Sequence, residues 1–432
     1  MLARQTLCLK RLGGDRAGEL RVGRFFGNPR VTVGQIIAGW STQTRTAVAG
    51  RHVLAIQDRS EVVINTTPRR RRGLGKVGKG TVFGLMVHAM LAVDAASGAC
   101  LGLVGGDVWT RAGPAGKVYG RRLEARESIH WSRTAEQAQA SLAQAERVTV
   151  VADREADIYA LWASAAAHGF DLLVRANPDR RLSQDASLFA TMDGFPVIDT
   201  RTITVASHQP GQPARRATLS LRIGTVTICR PRDPYHAHLP PTLRLHAIDV
   251  REMAPPPGVE PLHWRLLSTH DVADAAAAWQ IVGWYQMRWI IEQLFRATKS
   301  QGLGLEDSQL GSAERLLKLA AAAVKVACIG IQLVQERDGK HGLDAAIVFD
   351  EAEITTLQRL IPTLEGKTAR QQNPHPARTL AWAAWGITRL GGWNCYYRPP
   401  GPITMRRGTE QFQAIHRGHM LGLTLQRDVR IH

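Results

Sequence analysis

Two short apolar runs of this chain each end on an aspartate. Residues 52–57 lead to Asp58, and residues 147–152 lead to Asp153. Apolar runs of this length, bounded by polar residues, are typical of buried strands. A residue just after such a strand lies at the carboxyl edge of a sheet, where α/β folds place their chemistry. An aspartate there is also a common helix N-cap or loop residue, so each of the two is only a candidate.

The pattern around these runs predicts an α/β fold with a mixed sheet. Further strands are expected at residues 82–88 and 100–104, and an alanine-rich helix over 134–146 leads to the Asp153 strand. The resulting order of elements is three strands, a helix, a strand and a helix.

The alternation of strands and helices then stops over residues 195–268. Residues 218–223 and 243–250 read as antiparallel strands separated by Pro-rich loops. We interpret this part as a β-rich insertion. After about residue 305 the pattern becomes helical, with core helices expected over 316–334 and 351–360.

The chain from Trp284 to Lys299 has the spacing of an amphipathic helix. Tyr285, Arg288, Glu292 and Lys299 stand at offsets of 0, 3, 7 and 14. At about 100° per residue, these four side chains lie within about 60° of one another. Two more side chains extend the same face, Trp289 and Arg296. A carboxylate among cations and aromatics suits a metal ligand beside a phosphate backbone; the alternative is an ordinary helix with an Arg288–Glu292 ion pair.

The three acids Asp58, Asp153 and Glu292 carry more weight together than singly. Carboxylates from two strands and one helix can converge on hard divalent cations, which prefer oxygen ligands. Two such ions, about 3.5–4 Å apart, can activate an attacking oxygen and stabilise the leaving oxygen of a phosphoryl displacement. The sequence therefore predicts a metal-dependent phosphoryl-transfer site.

These residues resemble the DDE triad of bacterial insertion-sequence transposases, in the cut-and-paste branch with the Tyr-Arg-Glu-Lys signature. The likeness rests on Asp58, on Asp153 within Ala-Asp-Arg-Glu-Ala-Asp, and on Glu292 within the helix signature, and it extends from about Gly18 to the middle of the 300s. It implies a ribonuclease H-like mixed sheet, with two Mg²⁺ ions (or Mn²⁺ in their place) held by the three acids.

The resemblance also implies a reaction and its partners. Water would cleave the transposon ends, and the freed 3′-hydroxyls would join target DNA, with a hairpin intermediate on the excised end. The partners would be double-stranded DNA, both the inverted-repeat ends and the target, and a second copy of the chain in a synaptic complex.

By the same resemblance, several side chains would contact DNA. Tyr285, Arg288 and Lys299 would bind phosphates, and Trp264 would stack on a flipped-out base. Further contacts are expected from Trp289 beside that base, from Arg296 and from Arg175. Trp264 could instead be a core residue, and Arg175 a plain surface cation. One departure is Arg59-Ser60-Glu61 after Asp58, where the family has threonines; Arg59 either lowers metal occupancy or points away.

The charge of the chain favours a polyanionic partner. It has 55 Lys and Arg against 37 Asp and Glu, a formal charge of +18, which attracts nucleic acid. The sharpest basic cluster precedes a Gly- and Lys-rich segment and predicts a DNA-contacting loop, although solvated loops look alike; it consists of Arg69, Arg70, Arg71 and Arg72.

Cysteine usage and hydropathy bear on the compartment. The five cysteines form no Cys-x2-Cys pair, which favours a reducing compartment over a zinc site or disulfides. No signal peptide is apparent, and the apolar stretch 319–334 is short and interrupted for a membrane span. We expect a cytoplasmic protein on the bacterial nucleoid, without a membrane partner.

Three regions are predicted along the chain. By the resemblance, residues 1–45 would be a remnant of a DNA-end-recognition region, through either truncation or a misplaced start codon. Residues 46–310 would be the catalytic domain with its β insertion, and residues 311–432 a helical region that the family uses for dimerisation. Two alternatives remain: a nuclease on the same fold that cuts without joining, and a truncated, catalytically impaired copy that binds DNA as an inhibitor.

Overall fold

The computed structural model describes residues 1, 4, 6–65, 73–78, 82–111, 127–183, 186–205, 214–299 and 302–429. These residues form one mixed sheet of ten strands with helices on both faces. The strands are β1 (His52–Val63), β2 (Gly75–Val77), β3 (Val82–Asp94), β4 (Cys100–Trp109), β5 (Arg147–Ala152), β6 (Asp171–Arg175), β7 (Val197–Val205), β8 (Arg215–Cys229), β9 (Thr242–Met253) and β10 (His263–Ser268).

The sheet has a parallel centre with antiparallel flanks. Its order is β2-β3-β1-β5-β6-β10-β9-β8-β7, and β4 also pairs with β3. Strands β1, β5 and β6 run parallel, whereas β3 and β4 are antiparallel to their neighbours. The three parallel strands therefore end at one edge of the sheet, which is the edge that carries Asp58 and Asp153.

The region interpreted as a β insertion continues this same sheet. Strand β10 pairs antiparallel with β6, from Leu266 opposite Arg175 to Ser268 opposite Leu173. Strands β9, β8 and β7 then follow in antiparallel order. Residues 218–223 lie on β8 and residues 243–250 on β9. The insertion thus widens the sheet at the side of β6, and β7 is its outer strand.

Thirteen α-helices occur in the described part of the chain. They are α1 (Leu9–Gly13), α2 (Arg16–Gly27), α3 (Val33–Ala38), α4 (Thr44–Ala47), α5 (Ile129–Leu142), α6 (Tyr159–Ala165), α7 (Leu188–Asp193), α8 (Ala275–Met287), α9 (Trp289–Thr298), α10 (Ala313–Glu336), α11 (Glu351–Leu364), α12 (Leu380–Leu390) and α13 (Pro402–Val429).

Strand alternation divides the core between the two faces of the sheet. On β1, Val53 and Ala55 belong to the core under α5 and α6, while Leu54 and Ile56 belong to the core under α8, α9 and α10. All four side chains are fully buried. Because β1 is apolar on both faces, its sequence reads as a continuous run instead of an alternating one.

Helix α10 is the central helix of the second face. It packs on β4, α9, α12 and α13 and also on α2 and α3. Among the described residues it is the one helix long and apolar enough to cross a membrane by length and composition, but 67% of that window is buried inside the protein. The helix is also longer than the stretch 319–334 considered from the sequence. Most of its apolar surface is buried by packing within the chain.

The first 45 residues pack against α10. Trp40 is almost fully buried, and its indole N–H donates to the carbonyl oxygen of Ala321 at 3.0 Å. Lys325 donates back to the carbonyl oxygen of Trp40 at 2.8 Å. These contacts join the N-terminal helices to the helical region that follows the sheet. The assignment of residues 1–45 to a DNA-end-recognition region stays a prediction.

Candidate active site

Asp58 lies within β1, not after its end as the apolar run suggested. Its parallel partner β5 stops pairing at Ile56, opposite Val151. Strand β3 remains paired with β1 as far as Val63. The expectation that the strand closes on Asp58 was therefore wrong, because an antiparallel neighbour extends it through polar residues. Asp58 nevertheless reaches the carboxyl edge of the parallel strands, two residues beyond the last pair of β1 with β5.

Asp153 directly follows β5, as expected. Its carboxylate accepts a hydrogen bond from the backbone N–H of Glu155 at 2.8 Å, which caps a short 3₁₀ turn over Arg154–Ala156. The ordinary role considered for a strand-end aspartate, the cap, is thus present as well. Only one oxygen is needed for this bond, so the cap and a ligand role are compatible.

The segment expected as one helix is two helices that meet at Arg288. Helix α8 ends at Met287 and α9 begins at Trp289. Across the joint, the backbone N–H of Arg288 donates to the carbonyl oxygen of Tyr285 at 3.1 Å, and the backbone N–H of Ile291 donates to that of Arg288 at 3.1 Å. Both bonds have the tighter i→i−3 pattern. The prediction of a single regular helix from 284 to 299 was therefore wrong. The rotation of about 100° per residue that it assumed does not hold across the joint.

Arg288 brings the first and third acids together. Its Nη1 donates to Oδ2 of Asp58 at 2.8 Å, and its Nη2 donates to Oε1 of Glu292 at 2.8 Å. One guanidinium group thus spans two carboxylates from β1 and α9. The Arg288–Glu292 ion pair, which was the alternative explanation of this helix pattern, is present. The same guanidinium also binds Asp58 on a strand 230 residues away in sequence.

The charge of Asp153 affects the pKa of Asp58. Burial raises the pKa of Asp58 to about 7, and the charge of Asp153 adds to this rise while Arg288 opposes it. Burial also raises the pKa of Asp153; the hydrogen bond from the backbone N–H of Glu155 opposes this rise, the charge of the Glu155 side chain adds to it, and Arg288 again opposes it. Desolvation and a neighbouring like charge both disfavour ionisation. Arg288 thus contacts Asp58 and Glu292 directly, and it interacts with the charge of Asp153 as well.

Arg59 is turned away from this cluster. Successive side chains on a strand point to opposite faces, and Arg59 forms ion pairs with Glu155 and, at 2.9 Å, with Glu127. Arg111 binds the same Glu127 carboxylate. Of the two possibilities stated for Arg59, the structure has the second, in which its guanidinium is neutralised by other acids.

Aromatic and basic side chains border the acids. The rings of Trp264 and Tyr285 lie 6.3 Å apart, and the guanidinium carbon of Arg288 lies 5.9 Å from the centroid of the Tyr285 ring. Arg175, at the end of β6, donates to the carbonyl oxygen of His263 at 3.0 Å. Tyr285 is 7% exposed; burial raises its pKa while Arg288 and Arg175 oppose the rise. Trp264 is half-buried.

The remaining predicted contacts lie further from the acids or outside the described residues. Trp289 is 39% exposed, with Arg296 stacked at 5.1 Å from its ring. Lys299 is half-buried at the end of α9, where burial lowers its pKa and the nearby acids Glu306 and Glu61 oppose the shift. The basic cluster Arg69, Arg70, Arg71 and Arg72 lies outside the described residues.

Sequence reasoning missed the role of Asp157, four residues after Asp153 in the same motif. Its side chain is fully buried and binds Arg180 through two nitrogens, at 3.0 and 2.6 Å. It also accepts from the indole of Trp162 at 3.0 Å and from the backbone of Asn177 at 2.9 Å. Asp157 is thus a buried structural carboxylate under the site. Nothing in the motif itself distinguishes it from Asp153.

The donor set fits a hard cation in its chemistry. Mg²⁺ and Mn²⁺ prefer carboxylate oxygens, and a cation would stabilise the ionised forms of Asp58 and Asp153, which burial disfavours. As the side chains stand, no three His, Cys, Asp or Glu residues of the described ranges are close enough together to hold a metal ion. Glu292 is bound to Arg288 through Oε1 alone, so its second oxygen is open to a cation as it stands, and release by Arg288 would free the first.

No family model matches the chain. One solved structure to which it is similar is the cryo-EM structure of a piggyBac transposase synaptic complex with hairpin DNA, at a TM-score of 0.36 and 10% sequence identity. The match covers 88% of this chain and 56% of that one, so the chain spans little more than half the length of that transposase. A similarity this weak leaves the function to be inferred from the residues of the chain itself.

The raised pKa of Asp58 predicts a loss of stability with rising pH. Without divalent metal, the folded protein holds a proton on Asp58 that the unfolded chain releases above about pH 4. The contribution of Asp58 to stability is therefore most favourable below that pH and is lost as pH rises towards the folded pKa of about 7. Asp58→Asn should remove this contribution and stabilise the protein at about pH 8 by on the order of 4 kcal/mol.

Urea denaturation in EDTA at several pH values measures this effect. A matched control is Glu136→Gln, which removes an exposed carboxylate on α5. Equal pH dependence in the wild type and Asp58→Asn would show that Asp58 does not carry the shift.

Proposed function

We propose that this chain is a divalent-metal-dependent DNA transposase with a ribonuclease H-like core. The observation that carries the proposal is the joint binding of Asp58 and Glu292 by Arg288, with Asp153 beside Asp58. Two of the residues matched to the transposase signature from sequence thus share one guanidinium across two separate elements, and the charge of the third, Asp153, acts on Asp58. A plain surface helix gives no reason for such convergence.

The topology supports the ribonuclease H-like part of the proposal. Strands β1, β3 and β4 form an antiparallel group, after which α5, β5, α6 and β6 add two parallel strands on the other side of β1. Apart from the short additional strand β2, which pairs with β3, this is the chain order of strands and helices expected from the sequence. It places the end of β5 and the middle of β1 side by side, which is what two strand-borne carboxylates at one site require.

In the proposed reaction, Asp58, Asp153 and Glu292 would hold two Mg²⁺ ions, or Mn²⁺ in their place. Bound there, the metal would supply Lewis-acid stabilisation of the attacking and leaving oxygens of a phosphodiester. Arg288 is suited to bind a phosphate, because its forked donors match two oxygens of one anion. A phosphate that drew Arg288 away would free Glu292, and DNA binding would in this way complete the set of three carboxylates.

The same edge offers a surface for a nucleotide base. Trp264 is half-buried against Tyr285, and Arg175 lies within electrostatic reach of Tyr285. An aromatic ring beside cations suits a base stacked out of the duplex, an interaction worth about 1–3 kcal/mol per base. Trp289, Arg296 and Lys299 would extend the contact along α9, and Arg69, Arg70, Arg71 and Arg72 would contribute from their loop.

The proposed partners are the inverted-repeat ends of a transposon, a target DNA and a second copy of the chain in a synaptic complex. The formal charge of +18 favours the DNA partners through counterion release. The proposed location is the cytoplasm, on the nucleoid.

A plasmid-cleavage assay tests the proposal. The purified protein would be incubated with Mg²⁺ or Mn²⁺ and a plasmid that carries its flanking inverted repeats, next to Asp153→Asn. We expect cuts at the element's ends, only with metal and absent in the variant, followed by joining to target DNA. Cuts without joining would indicate a nuclease on this fold. Salt-sensitive DNA binding without cleavage would indicate an impaired copy that acts as an inhibitor.

A further inference from the structure

A cavity of about 720 Å³ lies between α9, α10 and α13. Ile290, Gln293 and Ala297 line it from α9, together with Trp289 and Arg296, which stand at i−3 and i+4 from Glu292. The volume falls within the range of about 300–1,000 Å³ that is usual for small-molecule sites. The cavity is separate from the cluster of acids, because none of Asp58, Asp153 and Glu292 lines it.

The walls of the cavity are mainly apolar. They are contributed by α8, α9, α10 and α13 and include Met287, Ile290, Val326, Ile329, Leu333 and Met405. Water gains little from apolar walls of this kind, whereas a hydrocarbon group would bury its surface there. A DNA backbone, which is charged along its length, is unsuited to these walls.

Charged side chains at the cavity are mostly cationic. Arg296, Arg337 and Arg406 line it, and the one acid among its lining residues is Asp338, 3.4 Å from Nε of Arg337. Arg337 and Arg406 otherwise donate to backbone carbonyl oxygens, those of Pro400 at 3.0 Å and Gly302 at 3.4 Å. Carbonyl oxygens carry no net charge, so the cavity keeps an excess of positive charge.

Apolar walls and an excess of arginines together define a ligand class. We propose that the cavity binds an amphipathic anion, with a hydrocarbon body against α10 and a carboxylate head near Arg337 and Arg406. A guanidinium binds a carboxylate through two parallel hydrogen bonds, which gives the head a fixed place. The proposal does not depend on the transposase activity, because none of the three acids lines the cavity, although Trp289 and Arg296 belong both to its lining and to the proposed DNA contact.

Gly330 provides a clean way to fill the cavity. It lines the cavity from α10, and a Cβ atom built on it meets no atom within 4 Å. Gly330→Leu therefore adds a side chain at a cavity-lining position where its Cβ atom meets no neighbour, and it removes a glycine that disfavours the helix. Gly418→Leu is the matched control, since Gly418 lies in α13, has the same open surroundings and does not line the cavity.

Isothermal titration with dodecanoate and dodecanol, both below their aggregation concentrations, tests the proposal on the full chain. We expect dodecanoate to bind one to one, and at least about tenfold more tightly than dodecanol. Gly330→Leu should weaken dodecanoate at least about tenfold, and Gly418→Leu should not. The double variant Arg337→Gln, Arg406→Gln should bind dodecanoate no better than dodecanol.

Three results would overturn the proposal. Unchanged dodecanoate affinity in Gly330→Leu would show that the ligand binds outside the cavity. Equal affinities for dodecanoate and dodecanol would show that the cavity does not select an anionic head group. Loss of a dimer in Gly330→Leu, seen by sedimentation, would show that a second copy of the chain fills the cavity in solution.

Discussion

Glu292→Gln should abolish DNA cleavage and leave DNA binding largely intact. The glutamine oxygen can still accept from Nη2 of Arg288, a bond of 2.8 Å in the structure, so the joint between α8 and α9 keeps its contact. What is lost is the negative charge that a divalent cation requires. Loss of groups that only support metal ligands already lowers activity by about 10–100-fold. Removal of a ligand itself should therefore cost at least about a hundredfold.

The measurement is metal-dependent plasmid cleavage, paired with a DNA-binding titration on the same preparations. Glu410→Gln is a suitable control, because Glu410 is exposed on α13 and its substitution makes the same change of charge. Full cleavage by Glu292→Gln would remove Glu292 from the site. Loss of both cleavage and DNA binding would instead assign Glu292 to the folding of this region.

Asp157→Ala should destabilise the fold by about 3–5 kcal/mol, the usual result of breaking a buried ion pair by removal of one partner. The Asp157 side chain has no exposed surface and that of Arg180 is 9% exposed. The alanine would leave the Arg180 guanidinium buried without its counter-ion. It would also leave the indole N–H of Trp162 and the backbone N–H of Asn177 without their acceptor.

Urea denaturation at neutral pH measures this loss of unfolding free energy. Asp153→Ala is a matched control from the same motif, and it should cost only the value of its helix-cap bond, about 1 kcal/mol. A second test is Asp157→Ala combined with Arg180→Met, which should recover part of the loss because no unpaired charge remains. If Asp157→Ala and Asp153→Ala lowered stability equally, the buried pair would not be a principal support of the fold.

Asp153 and Asp157 show how far a motif can be interpreted on its own. Both stand in Ala-Asp-Arg-Glu-Ala-Asp, and both are acids just beyond an apolar strand. Asp153 is partly exposed at the edge of the sheet, where a cation could reach it, while Asp157 is enclosed by Arg180 and Trp162. The difference depends on residues up to 23 positions away in the sequence.

The spacing of the helix signature predicted some positions correctly and not others. Tyr285, Arg288 and Glu292 do stand near one another, since local spacing of three and four residues survives a change of helical pitch. Lys299 does not follow from that spacing, because the chain tightens at Arg288 and α9 has ended before Lys299. An extrapolation over fourteen residues assumed a regularity that the ends of two helices interrupt.

The sequence by itself determined the elements and the candidate acids. Apolar runs mark β1 and β5, helical spacing marks α9 and α10, and position in these patterns makes Asp58, Asp153 and Glu292 the candidate ligands. These are local properties, set by backbone periodicity and by the chemistry of each side chain. Tertiary structure alone decided that Asp58 lies within its strand, that Arg59 is bound by Glu127 and Glu155, and that one guanidinium joins β1 to α9. Those outcomes depend on contacts between segments up to 230 residues apart. The free energy of such contacts cannot be inferred from a local sequence pattern.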